Sequence, residues 1–176
     1  GSTNCKEVYD YLSTTKTLDL SNHPIPFSDI SLLAEFTQIE ELYLSDSRVA
    51  DLSPLSGYTK LRKLYIEHCA SVQNLSPLSQ LSSLEELLVD YSSVSDLSPL
   101  KDLSNLKRLG LRNTSIRSLE DISMLTALTS LEVSGTTVES LEPLTNLNKL
   151  QILSLRETDV ADLQPLATHT NLFFLD

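Results

Sequence analysis

The chain holds only four glycines, one methionine, two cysteines and no tryptophan in 176 residues. Glycine this scarce builds no glycine-rich phosphate loop, and neither HExxH nor CxxC occurs. The usual short signatures of nucleotide and metal chemistry are therefore missing, and no cofactor or metal is expected. Apolar runs reach only three to four residues, where a membrane-crossing helix needs about 20. Positive charge is also short: 13 Lys and Arg stand against 24 Asp and Glu, for a net charge of -11 and a pI near 4.6. Nucleic-acid binding draws its affinity from clustered cations, so this balance argues against a nucleic-acid partner.

What the chain has instead is leucine, serine and repetition. DLSPL at 51–55 returns unchanged at 96–100, with looser copies at 74–78, 140–144 and 162–166. Units begin at Ile39, Leu61, Leu84, Leu106, Leu128 and Leu150, with a stub at Leu172, in steps of 22 residues and one of 23. Counting each start as position 1, apolar residues recur at positions 4 and 6 and then at 11, 14, 17 and 20. Alternation around positions 4 and 6 predicts a half-buried strand. The three-residue rhythm predicts a 3₁₀ turn, whose side chains align at i and i+3. In DLSPL the Ser is expected to cap that turn and the Pro to open it. One unit cannot bury its own leucines, whereas stacked units share a continuous core.

This L-x-x-L-x-L pattern, followed by L-x-x-L-x-x-L, resembles the leucine-rich repeats of the 22-residue class, as in bacterial internalins. It is also similar to the repeats of a eukaryotic regulatory subunit of a protein phosphatase. The resemblance covers about residues 16–176. It implies an α/β, right-handed leucine-rich-repeat solenoid, a curved horseshoe with a parallel concave sheet and short 3₁₀ turns outside. Where such repeats often carry Asn at position 9, this chain has Ser47, Cys69, Ser92, Thr114, Thr136 and Thr158. A row of hydroxyls there is expected to satisfy buried backbone groups, with Cys69 filling a slot rather than acting as a nucleophile.

Residues 1–15 read as an expression scar, Gly1-Ser2, followed by a helical cap with Cys5, Val8, Tyr9 and Leu12 on one face. Residues 16–176 read as the solenoid: a divergent first repeat with two extra residues around His23–Pro26, six full repeats from 39, and a truncated last strand. Cys5 and Cys69 are expected to stay unpaired, because layers of repeat separate them by more than about 7 Å. Phe173 and Phe174 lie beside the last strand. A bare edge is one that natural proteins cover, either by further chain or by the same edge of a second copy in a homodimer.

Positions 2, 3, 5, 7 and 8 of each unit are expected to line the concave sheet. Tyr43, Tyr65, Leu88 and Tyr91 then gather on its N-terminal half, with His68 among them and Asp46 nearby. Exposed tyrosines of this kind favour interfaces. Positions 2 and 3 alternate in sign between units, from Glu40-Glu41 through Arg62-Lys63 and Glu85-Glu86 to Lys107-Arg108, which predicts lateral ion pairs. Position 7 runs from Glu67 and Asp90 to Arg112 and Arg156, a gradient able to orient a partner. The three histidines, His23, His68 and His169, lie in separate units. A serine–histidine–carboxylate set drawn from Ser45, Asp46, His68 and Asp90 means little where serine is so abundant. The reading is a non-enzymatic module that binds a protein or peptide on its concave face. The internalin resemblance implies an extracellular, cell-surface or periplasmic protein acting in adhesion. The alternatives are a cytoplasmic scaffold or regulatory subunit, and the targeting arm of a longer enzyme.

Overall fold

The computed structural model describes residues 2–22 and 27–176, with side chains from residue 6 onward. Helix α1 spans Ser2–Thr14 and leads into strand β1, Thr17–Asp19. Among the described residues seven further strands follow: β2 Glu41–Tyr43, β3 Lys63–Tyr65, β4 Glu86–Leu88, β5 Arg108–Gly110, β6 Ser130–Glu132, β7 Ile152–Ser154 and β8 Phe174–Leu175. They form one parallel sheet in sequence order. Leu18, Leu42, Leu64, Leu87, Leu109, Leu131, Leu153 and Leu175 pair side by side along its middle row.

Among the described residues one 3₁₀ turn lies between each pair of successive strands, from Ser31–Glu35 and Ser53–Leu55 through to Gln164–Leu166. A three-residue apolar period suits that geometry, since every third side chain falls on the same line. Position 20 gives the core Leu81, Leu103, Leu125 and Leu147, all fully or almost fully buried. Two units place a polar side chain there instead. Tyr58 donates its hydroxyl to the Leu33 carbonyl at 2.6 Å, and the His169 Nε2 lies 3.0 Å from the Leu144 carbonyl. Each thus satisfies a carbonyl of the preceding unit. Burial pushes the Tyr58 phenol up to about 12.

One local expectation is corrected, and a second is met in a different way. Ser53 occupies the first residue of the 3₁₀ turn and Pro54 the second, and no serine side chain caps it. The cap is Asp51, whose Oδ1 accepts the Ser53 amide at 2.8 Å while Oδ2 accepts the Ser53 hydroxyl. Asn74, Asp96 and Asp162 accept the matching amide in their units. A side-chain carboxyl or amide oxygen reaches the N–H two residues on, the reach of an Asx turn. The position-9 threonines satisfy backbone groups as expected, but within their own units rather than across to a neighbour. The hydroxyls of Thr114, Thr136 and Thr158 donate to carbonyls three residues back in their own units. Only the Cys69 thiol, fully buried and free, donates across to the previous unit, at the Leu44 carbonyl.

At the N-terminal end, Leu12 packs on the core and the Tyr9 ring meets Phe36 edge-on at 5.4 Å. Gln38 fastens the helix end by donating its amide to the Leu12 carbonyl. Val8 and Tyr9 remain half exposed. The Cys5 side chain and the loop His23–Pro26, with its histidine, lie outside the described residues.

Candidate functional site: the concave sheet

The open face of the sheet carries positions 3 and 5, then continues through positions 7 and 8 beyond each strand. Backbone bonds carry the ladder on: the Asp46 amide donates to the Glu67 carbonyl, His68 to Asp90, Tyr91 to Arg112 and Asn113 to Ser134. At position 8 the chain must then reverse into the next loop. It does so with positive φ at Asn22, Asp46, His68, Tyr91, Asn113, Gly135 and Glu157. Left-handed backbone costs an ordinary L-residue about 1–2 kcal/mol and is tolerated best by Gly, Asn and Asp. Asp46, Asn113 and Gly135 at one repeated offset were the signal in the sequence. It was missed because position 8 was read only as an exposed contact.

Tyr43 and Tyr65 are half-buried on adjacent strands, edge to face with centroids 4.9 Å apart. The Tyr65 hydroxyl donates to Glu86 Oε2 at 2.5 Å, and burial followed by that carboxylate raises its pKa. His68 and Tyr91, both exposed, stack in parallel at 4.3 Å. Their rings protrude because the left-handed turn aims position 8 outward. The expected side-by-side placing of Tyr43 with Tyr65 and of His68 with Tyr91 is present, whereas Leu88 does not join them at the surface. Leu88 is only 5% exposed and Asp90 only 8%. Both lean into the space left by Gly110, where a Cβ would lie 2.9 Å from Leu88 Cδ2 and 2.8 Å from Asp90 Oδ1. Leu88 is thus a floor beneath the patch and not a projecting contact.

The charges fall into two groups. On positions 2 and 3, Lys16 pairs with Glu40, Lys63 with Glu41 and Glu86, and Glu85 with both Arg62 and Lys107. Hydrogen bonds from Arg62 and Lys107 hold the Glu85 carboxyl down at about 2. Arg112 pairs with Glu132, and Arg156 with Asp176 at the far end. Both position-7 arginines are thus tied to neighbours, which flattens the expected gradient. The acidic end of the row is less satisfied. Among the described residues the Glu67 carboxylate accepts a bond from the Ser45 hydroxyl, and Asp90 accepts the Arg112 amide at 2.7 Å. Burial, reinforced by the nearby carboxylates of Glu132 and Glu67, pushes the Asp90 carboxyl up to about 6. Among the described residues, no group of three or more His, Cys, Asp or Glu side chains is placed to hold a metal ion.

A parallel sheet one strand per unit, a 3₁₀ back and a left-handed corner at each turn define a leucine-rich-repeat solenoid, a fold generally used for protein–protein interaction. Residues 28–136 match the family described as the endo-beta-N-acetylglucosaminidase EndoS LRR domain, and the chain belongs to that leucine-rich-repeat family. Comparison with curated proteins finds no match. Among solved structures, an internalin (inlF) from Listeria monocytogenes is similar with a TM-score of 0.82 and 31% identity, over 85% of this chain and 44% of that one. Internalin C2 from the same organism gives a TM-score of 0.74 and 26% identity, over 94% of this chain and 81% of that one. A leucine-rich-repeat protein of Leptospira interrogans shares the fold, with a TM-score of 0.71 and 20% identity over 93% of this chain and 49% of that one. The chain therefore spans less than half the length of the first of these relatives.

Proposed function

We propose that the chain is a binding module that holds a protein or peptide partner on its concave sheet, through Tyr43, Tyr65, His68 and Tyr91 with the flanking charges Asp46, Glu67, Asp90, Arg112 and Arg156. The aromatic pairing carries this reading. Two tyrosines are locked edge to face, and two further rings are stacked and held outward by the backbone. Such rings present contact area at little cost in conformational freedom, which is what interface centres use. A surface or secreted role in adhesion is the accompanying proposal, supported by the likeness to the internalins.

A photo-crosslinking amino acid placed at Tyr65 or Tyr91 tests it. The expected result is one discrete adduct from both positions and none from Met124, an exposed residue just after the 3₁₀ turn Glu120–Ile122 and outside the sheet. Equal trapping at all three would remove the concave face from consideration. A second reading makes this solenoid the targeting arm of a longer enzyme, and the match to the leucine-rich-repeat domain of an endo-beta-N-acetylglucosaminidase favours it. A homodimer through the β8 edge would place Phe173, beside that strand, and Phe174, within it, in the contact; both are exposed. Light scattering of a Phe173→Ser/Phe174→Ser variant against the parent chain checks that contact.

A further inference from the structure

Not every carboxylate on the open face has a cation beside it. Those at positions 2 and 3 are paired with lysine or arginine of an adjacent unit, as are Glu132 and Asp176. Asp46, Glu67 and Asp90 are different: like Asp19 and Glu157 elsewhere on the face, none of the three enters an ion pair among the described residues. They occupy successive rungs of one corner, joined by the bond from the Asp46 amide to the Glu67 carbonyl and from the His68 amide to the Asp90 carbonyl. The stacked rings of His68 and Tyr91 lie in the same corner.

We propose that this corner receives a basic partner segment, with Lys or Arg side chains seated on the His68–Tyr91 rings and beside the carboxylates of Asp46 and Glu67, above the buried Asp90. The inference rests on the concave-face reading and names the chemistry of the partner. A cation over an aromatic face is attracted by the ring quadrupole, and more strongly where solvent is displaced. Carboxylates outside an ion pair add to that attraction, whereas those already paired with a cation add little. The chain's net charge of -11 draws a basic segment in from a distance. Toward the other end of the face Arg112 and Arg156 are both engaged, so these two add little attraction for an acidic segment. A cation in the corner also opposes the mutual repulsion of Glu67, Asp90 and Glu132, of which only Glu132 has Arg112 as an ion-pair partner.

Fluorescence anisotropy with a labelled arginine-rich peptide, and with its glutamate counterpart, tests the proposal on the intact chain. The arginine peptide binds and the glutamate peptide does not. The variant Asp46→Asn/Glu67→Gln/Asp90→Asn keeps side-chain shape and hydrogen-bonding atoms, and weakens binding by about tenfold or more. The variant Glu120→Gln/Glu139→Gln/Glu142→Gln removes the same charge from exposed positions in the loops and 3₁₀ turns away from the sheet, and leaves affinity within about twofold. Equal losses in the two variants would reduce the effect to net charge and overturn the proposal. So would tight binding of the glutamate peptide, or none of the arginine peptide. If crosslinks from Tyr65 and Tyr91 still trap a partner in that event, the concave reading survives and only the basic chemistry fails.

Discussion

Gly110 is the one strand residue on the open face without a side chain, and two neighbours depend on its size. Leu88 and Asp90 fill the notch it leaves. Gly110→Ala should therefore push both outward and cost about 1–3 kcal/mol, as overpacking does, read as a lower denaturant midpoint with unchanged slope. Asp90 itself weakens the fold at neutral pH. Its folded-state pKa of about 6 lies above the ordinary carboxylate value of 3.8. Stability on its account is full below that ordinary value and is lost as pH rises through about 6. Asp90→Asn should then raise stability at pH 7 by on the order of 1–3 kcal/mol, with the gain vanishing near pH 4. A gain that persists unchanged at pH 4 would mean that ionisation is not the cause. Alternation in the sequence told which side of the sheet each residue faces. It could not tell that Leu88 would lie flat, because its height depends on a glycine 22 residues later.

At the scale of one turn, DLSPL is a self-contained instruction. Its leucines supply the core, proline favours the 3₁₀ turn, and aspartate ties the entry. The recurrence made that legible, but which polar residue does the tying was not, since Ser and Asp are both good caps and differ only in reach. Asp96→Ala should cost about 1 kcal/mol, and Ser98→Ala clearly less, in paired thermal melts. The reverse order would restore serine as the cap. The charged ladder was legible for a simpler reason. Opposite signs at one offset in consecutive units become lateral neighbours once the strands are parallel, as Lys63 between Glu41 and Glu86 shows.

Across the whole molecule, stability comes from each unit sharing its interior with the next. Leu87, fully buried in β4, has neighbours on both sides, and Leu87→Ala should cost about 2–5 kcal/mol. An unchanged melting temperature would contradict the assigned register. That register is kept even where the unit length varies. Thr17 pairs with Glu41, 24 residues on, Glu41 with Lys63 after 22, and Lys63 with Glu86 after 23. The surplus residue between β3 and β4 is taken up in a tight turn from Cys69 to Val72, closed by a 2.9 Å bond. Strand alignment is thus insulated from loop length. A duplicated 22-residue cassette spliced in at Leu150 would meet the same leucines above and below as the original did. Such a chain can lengthen by copying, and the altered gene would yield a longer arm with every old surface intact.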